Sequence, residues 1–462
     1  MPASDQHPED RKFAPRWAVV QDCVSGSDEI KAKRTAYLPM PNDTDHSEEN
    51  LKRYAQYVQR ANFVNFTAST LEGLLGMVFR RDPKMDLVPT VEYLRNNATG
   101  SGVSLEQLLR SSISQVIQKG RLGFLVDYPE AEKGLRKKAV TAMGMRANVV
   151  KYEAKAIINW ETRSINGTIV LAMIVLSEDF KVYADDGFSW KVKPYHRVLR
   201  LDADGVYRQY LYNDLDIIID IVEPRQSDGS LWSIIPFAFC GATNNDSIID
   251  KSPLYDIANL DIAHYRNSAD FEESSHIVGQ PTPVFAGLTE HWVSEVMKGG
   301  VRIGSRGGVM LPVGGHATLM QVNENSMPMT GMDKKEMQMV KIGARLIEDN
   351  KGGSETAEGA RIRYAGQTSK LAVIVGNVES MVNQCLVWAQ IFMGGEGESS
   401  ILLNREYYDR RLDAQTIMAE IALYDRGLIA KTDLRTSLRA GGHIAADRSN
   451  EAIDDEAEVL EI

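Results

Sequence analysis

Two long helical stretches that enclose a glycine-rich insert constrain this chain more than any other feature. From Pro253 to about Ile277, Leu254, Ala258, Ile262, Tyr265 and Ala269 recur at helical spacing, with Ser252 placed to cap and Pro253 at the first helical position. A second stretch, Asp333 to Asp349, is helical and mixed in charge. Between them, residues 281–325 are rich in glycine and β-branched residues ("VRIGSRGGVMLPVGGHATLMQVNE"), which predicts short strands separated by glycine turns. At 1.5 Å per residue the two helices span about 37 and 25 Å. Such a hairpin buries too little surface to be stable alone. Packing many copies side by side solves this, and a closed ring of hairpins has a helical wall around a central hole.

Elsewhere the pattern is α+β. Residues 1 to about 30 read as a loose arm, because prolines and charges show no period. A helix is expected from Ser47, broken near Asn62 to Asn65 and ended by Pro83. Ser104 with Gln107 predicts a capping box for a helix ending at Gly120, and "LGFLVDY" a strand after it. Further strands are expected at 154–159, 169–176, 180–184, 195–201 and 205–212, with turns at "INGT" and "DADG", and one more near Ile235. Residues 355–393 read as one helix. Its second half carries Leu371, Val375, Val378, Val382, Cys385, Ala389 and Phe392, whereas its first half holds Arg361, Tyr364 and Thr368 on that stripe. A helix pair at 413–425 and 431–438 follows, then an acidic tail expected to be disordered.

The chain has 462 residues, which implies several structural units, and a net charge of -11, which argues against a surface that seeks nucleic acid everywhere. An acidic exterior is compatible with an inner channel that meets DNA. Cys23, Cys240 and Cys385 have no CxxC or CxH spacing, so three reduced thiols are expected rather than a zinc site. The polar start shows no signal peptide, and the apolar run Ile169 to Leu176 is too short for a bilayer, so a soluble protein made in a cytoplasm is expected. No phosphate loop, zinc-protease or serine-hydrolase motif occurs, and the pairs Asp185/Asp186 and Asp214/Asp216 read as turns. His264 reads as a surface or interface histidine, and His291 has no second histidine at ligand spacing. No catalytic residue, metal ligand or cofactor is therefore assigned.

Four segments carry a family likeness: Tyr54 to Pro83, Leu108 to Pro129, Pro253 to Glu273, and Glu355 to Gln390. With these, the chain resembles the portal proteins of tailed bacteriophages, in a branch first described as a phage family of unknown function. The resemblance implies a portal-like α+β fold with an α/β wing, a long-helix stem, a small β-rich clip and a short helical crown. Mapped by number, 1–39 would be an N-terminal arm, 40–250 the wing, 251–280 the first stem helix, 281–328 the clip and 329–349 the second stem helix. Then 350–355 would be the tunnel loop, 356–395 the long helix joining wing and crown, 396–440 the crown, and 441–462 an acidic flexible tail.

The implied role is a ring, usually of twelve copies, at one capsid vertex. Double-stranded DNA passes through it without sequence preference during packaging and ejection. Implied partners are the terminase large subunit, the major capsid protein, a head-completion or adaptor protein and, as a further candidate, a scaffolding protein. No membrane is involved, and the expected place is the virion, assembled in the host bacterial cytoplasm. Lys351, Gly352, Gly353 and Ser354 would form the tunnel loop, the glycines supplying torsional freedom and the lysine one charge per copy near the duplex, flanked by Glu348, Asp349 and Glu355. Lys334, Lys341 and Arg345 share one face of the second stem-like helix, where they would either line the channel or pair with acids of a neighbouring copy. The alternatives are another head or neck component of a phage, or a nucleic-acid-processing enzyme.

Overall fold

The computed structural model describes residues 2–129, 145–183, 187–278, 282–296, 311–320, 326–347, 369–405, 407, 414–440, 443–444 and 448–460. The chain divides into two compact units. One comprises Met1–Gly76 with Pro83–Leu402, the other Met77–Asp82 with Leu403–Ile462.

The first unit begins with a correction. Residues 8–32 are no loose arm, since they form helices α1 (Pro8–Ser25) and α2 (Ser27–Ala32). Phe13, Trp17, Val20 and Cys23 fall at helical spacing and are buried, and Trp17 Nε1 donates to Lys119 O at 2.7 Å. Pro15 and the flanking charges hide this stripe in the sequence, yet Pro8 at the first position and His7 as N-cap favour the helix.

Helix α3 (Glu48–Arg60) is capped by Ser47, whose side chain accepts from Asn50 N, and α4 (Phe66–Val78) starts after the expected break. Strand β1 (Lys84–Asp86) follows. The capping box at Ser104/Gln107 is present on α5 (Leu105–Lys119), which stops at Gly120 with φ 76°. A Cβ on Gly120 would lie 2.4 Å from Asp250 O, so this position requires glycine twice over.

The core lies around β2 (Arg121–Asp127), the middle strand of a sheet ordered β3-β2-β9, where β3 is Asn148–Glu153 and β9 is Phe237–Gly241. Every residue of β2 but the last is buried, as its unbroken apolar run requires when both faces are covered.

A second sheet is a five-stranded antiparallel meander: β4 (Ile157–Ile165), β5 (Thr168–Tyr183), β6 (Trp190–Leu201), β7 (Tyr207–Tyr212) and β8 (Ile218–Val222). Asn166 and Gly167 both take positive φ in the β4–β5 turn. The expected strands 169–176 and 180–184 are one strand. Their polar divider survives inside it because Glu178 accepts from Arg197 Nε at 2.7 Å and from Tyr152 OH at 2.5 Å. Strand β8, with its run of isoleucines, was not expected.

After the sheets come α6 (Tyr255–Val278), the antiparallel hairpin β10 (Thr282–Ala286) and β11 (His316–Met320), and α7 (Met327–Ile347). A short π-helical turn, Trp292–Val296, sits within the insert. Helix α7 starts six residues before the expected Asp333. Helix α8 (Lys370–Met393) packs its predicted stripe, Leu371 to Phe392, into the core against α5, β2 and β9. Its start corrects the uninterrupted helix expected from 355: Ser369 is extended (φ -62°, ψ 154°) and caps α8 by accepting from Ala372 N. Strand β12 (Ser400–Leu402) pairs with β1.

In the second unit, α9 (Ala414–Asp425) and α10 (Lys431–Ala440) match the expected pair. The expected disordered tail instead holds α11 (Asn450–Leu460), because Asp454 accepts from Lys431 Nζ at 2.5 Å and from Arg435 at 2.6 and 2.8 Å. Cys23, Cys240 and Cys385 are buried and free.

Replacing Trp17 by Ala should cost about 3–5 kcal/mol in urea unfolding, as expected for a large core residue. A change under 1 kcal/mol would restore the reading of a dispensable arm.

Candidate functional site

Helix α6 is amphipathic in an unusual way. The predicted stripe Leu254, Ala258, Ile262, Tyr265 and Ala269 is buried, and so is a second stripe of polar residues, Asp261, His264 and Ser268. The polar stripe anchors the break between α3 and α4. Asp261 Oδ2 accepts from Thr67 N at 3.0 Å and Thr67 Oγ1 at 2.7 Å, so a carboxylate nearly two hundred residues away satisfies the first turn of α4. Ser268 Oγ accepts from Asn62 N at 2.8 Å. His264 is buried, not a surface residue: its ring lies edge-on to Phe66 and its Nε2 sits 3.1 Å from Glu336 Oε1 of α7. Ser252 does not cap α6 as expected. Its hydroxyl donates to Gln118 O at 2.6 Å, and the helix begins at Tyr255.

Burial pushes the Asp261 carboxyl up from 3.8 to about 6, against the lowering effect of its bonds to Thr67. Its other oxygen, Oδ1, has no hydrogen bond of good geometry among the described residues, although the Phe66 N–H nearby also lowers the carboxyl.

Helix α7 runs antiparallel to α6, as Asn267 meeting Pro328 and His264 meeting Glu336 require. At 3.6 residues per turn its surface divides into three arcs. Met339, Gly343 and Leu346 form the buried one. Met329, Met337, Val340 and Ala344 form an exposed, mostly apolar arc about 80° wide, with exposed Asp333 at its centre. Lys334, Lys341 and Arg345 form the next arc, about 40° wide, and all three are exposed. Among the described residues none of these three cations pairs with a carboxylate. The acids on the far half of α6 are engaged by α3 and the turn after it: Asp270 by Tyr57 OH at 2.6 Å, Glu272 by Asn62 Nδ2 at 2.9 Å, and Glu273 by Arg60 and Arg53. Beside them Arg53, Tyr54, Tyr57, Asp270, Glu273 and Pro328 help line a cleft of about 350 Å³.

The structure thus brings Lys334, Lys341 and Arg345 together on one face. Lys351, Gly352, Gly353 and Ser354 lie outside the described residues, as do Asp185, Asp186, Arg361, Tyr364 and Thr368. Asp214 pairs with Lys193 at 2.8 Å and Asp216 accepts from Ala3 N at 2.9 Å, so these two acids do not form a shared site. Among the described residues no group of three His, Cys, Asp or Glu side chains could hold a metal ion. Sequence reasoning missed the apolar arc of α7 because its exposure depends on which side α6 covers.

A family described as a domain of unknown function (DUF4055) matches residues 253–393, less than a third of the chain, from the start of α6 to the end of α8. Among curated proteins none matches. Solved structures similar to the chain include the neck of a native GTA particle computed with C12 symmetry. It is 10% identical with a TM-score of 0.41, over 81% of this chain and 89% of that one. The virion of a native gene transfer agent (GTA) particle is 12% identical with a TM-score of 0.40, over 91% and 96%. The neck of an empty GTA particle computed with C6 symmetry is 11% identical with a TM-score of 0.41, over 86% and 90%. Superpositions this loose decide no role.

Asp261→Asn should stabilise the protein at pH 7.5 by about 2 kcal/mol if the amide oxygen keeps both Thr67 bonds. The sign follows from the raised carboxyl: the folded state binds the proton more tightly, so its stability falls as pH rises from about 4 to about 6. The variant should lose its share of that slope. Asp10, also pushed up by burial to about 6, adds a slope of the same sign, and His7 and His196, both pushed down by burial, add one of opposite sign; none of these three is altered in the variant. Urea melts at pH 4.5, 6 and 7.5 read this directly, and a less stable variant at pH 7.5 would show that the charge itself is required.

Proposed function

We propose that the chain is the subunit of a portal ring, a conduit for double-stranded DNA at one vertex of a phage capsid. The observation that carries the reading is the order of arcs on α7. In a closed ring of helical hairpins each helix that lines the wall needs one face for its own partner helix, one for the next copy and one for the hole. Helix α7 presents a buried face, then a mostly apolar arc around Asp333 that no described residue covers, then a cationic arc, in that sequence. The apolar arc is costly to leave in water and is covered once a second copy docks on it. The cationic arc then falls on the inner wall.

The engagement of Asp270, Glu272 and Glu273 by α3 and its following turn favours a channel role for Lys334, Lys341 and Arg345 over pairing with a neighbour's α6 acids. Three cations per copy, repeated around a ring, meet phosphates without reading bases. A net charge of -11 on the whole chain keeps the contact from spreading over the exterior.

On this reading α6 and α7 are the stem, and residues 281–328 between them are the clip that docks the terminase large subunit and later the adaptor. The two sheets and their helices belong to the wing, which now includes the N-terminal helices. Residues 396–440 make a short crown, and Lys351 to Ser354 are the tunnel loop. The major capsid protein surrounds the ring, with a scaffolding protein as a further assembly partner, and the protein works in the virion after assembly in the host cytoplasm.

Negative-stain microscopy and native mass spectrometry of the chain, alone and co-expressed with its capsid protein, should show rings with a central hole. Changing Lys334, Lys341 and Arg345 together to Glu should leave the rings intact and lower DNA packaging at least tenfold. Rings that package normally after this reversal would remove the cationic arc from the channel wall. A chain that forms no rings under either condition would favour another head or neck component.

A further inference from the structure

The five-stranded meander leaves two edges open, and they are unlike. The proximal part of β4 is covered by the chain's own N-terminal segment: His7 N donates to Ile158 O at 2.8 Å and Asn159 Nδ2 to Asp5 O at 3.1 Å. Its distal part, Glu161 to Ile165, has no backbone partner on its outer side among the described residues. At the opposite edge β8, Ile218 to Val222, pairs with β7 and, among the described residues, with no other strand. Leu215, Ile217, Ile218, Ile219 and Ile221 are 43–71% exposed on both faces of that edge, and Ile165 and Ile169 are exposed at the tip of the β4 edge.

Edge strands of soluble proteins are commonly blunted by lysine, proline or a bulge. The outer strand β8 has no lysine or proline and one charge, Asp220, and its one blunting device is the bulge that leaves Ile219 without a partner on β7. The bare isoleucines amount to on the order of 400 Å² of apolar surface, about half of what each partner buries in a stable interface. The β4 tip supplies the complement.

Charge selects between the two ways of pairing. Asp220 is the central residue of β8, so two copies joined β8 to β8 in antiparallel fashion would set Asp220 against Asp220, which is unfavourable. Arg163 is the central residue of the open part of β4 and is exposed, paired among the described residues with Glu161 alone, at 3.1 Å. Aligned centre to centre, the two five-residue edges place Asp220 opposite Arg163. We infer that β8 of one copy adds to the distal edge of β4 of the next copy, joining the sheets of neighbouring subunits head to tail. Unlike edges joined this way propagate around a ring, whereas like edges stop at a dimer. The inference rests on the ring reading above and adds a second contact to it, away from the helical stem.

The test uses the full chain under conditions in which the unaltered protein forms rings. Strands β4 and β8 point the same way in the five-stranded meander, so the joined edges run parallel. Ile219→Cys and Thr162→Cys, which this register sets opposite each other, are made separately, the native cysteines being buried, and treated with a short bismaleimide. Each variant alone should give no cross-link, their mixture should give dimers, and the double variant should give a ladder up to the full ring. Asp220→Arg should reduce ring yield at least fivefold, and adding Arg163→Glu should restore it. Dimers from Ile219→Cys alone would overturn the head-to-tail assignment. Rings unaffected by Asp220→Arg, with no mixed cross-link, would overturn the sheet contact while leaving the stem ring standing. Failure of the unaltered chain to form any ring would instead remove the ring reading itself.

Discussion

The buried carboxylate of Asp261 holds the architecture together. It replaces a local cap at the start of α4, and in doing so pins the α3–α4 break onto α6. Ser268 and Glu272 add bonds to Asn62 on the same break, and His264 carries the polar stripe across to Glu336 on α7. A helix that would otherwise be an isolated arm is thereby tied to the body through directional bonds in a dry interface. Such bonds are expensive to break because each leaves a buried group unpaired.

That anchoring has a consequence for α7. With α6 fixed by the body, α7 can cover only one side of itself, through Met339, Gly343 and Leu346. Gly343 faces Thr70 of α4, where a Cβ would stand at ordinary contact distance, 3.4 Å from Thr70 Cγ2. The other two arcs are left to the surroundings, one apolar and one cationic. The same logic governs the meander, whose proximal residues Ile158, Val175 and Val198 form a core while its distal edges stay bare. Both features leave apolar side chains exposed on the single chain.

Much of this was legible in the residues. Caps and turns act through bonds that span three or four residues, so Ser47, Ser104 with Gln107, Gly120 and Asn166–Gly167 announced their elements correctly. The α8 stripe and the all-buried β2 were equally plain, because continuous apolar patterns have few other uses. The shared face of Lys334, Lys341 and Arg345 followed from spacing alone. By contrast, the charged and proline-interrupted start read as an arm, and the acidic end read as disorder. Each folds because of partners distant in sequence: Lys119 O for Trp17, and Lys431 with Arg435 for Asp454.

The sequence by itself therefore determined where the capped helices and the turn-bounded strands begin and end, and the apolar stripes of α6 and α8. Only the tertiary structure decided that His264 and Asp261 are buried, that α7 leaves an apolar arc uncovered beside its cations, and that β8 exists as an open edge. The physical reason is one of range. Propensity, capping and periodicity are settled within a turn or two of chain, whereas burial and charge pairing depend on elements brought together from two hundred residues away.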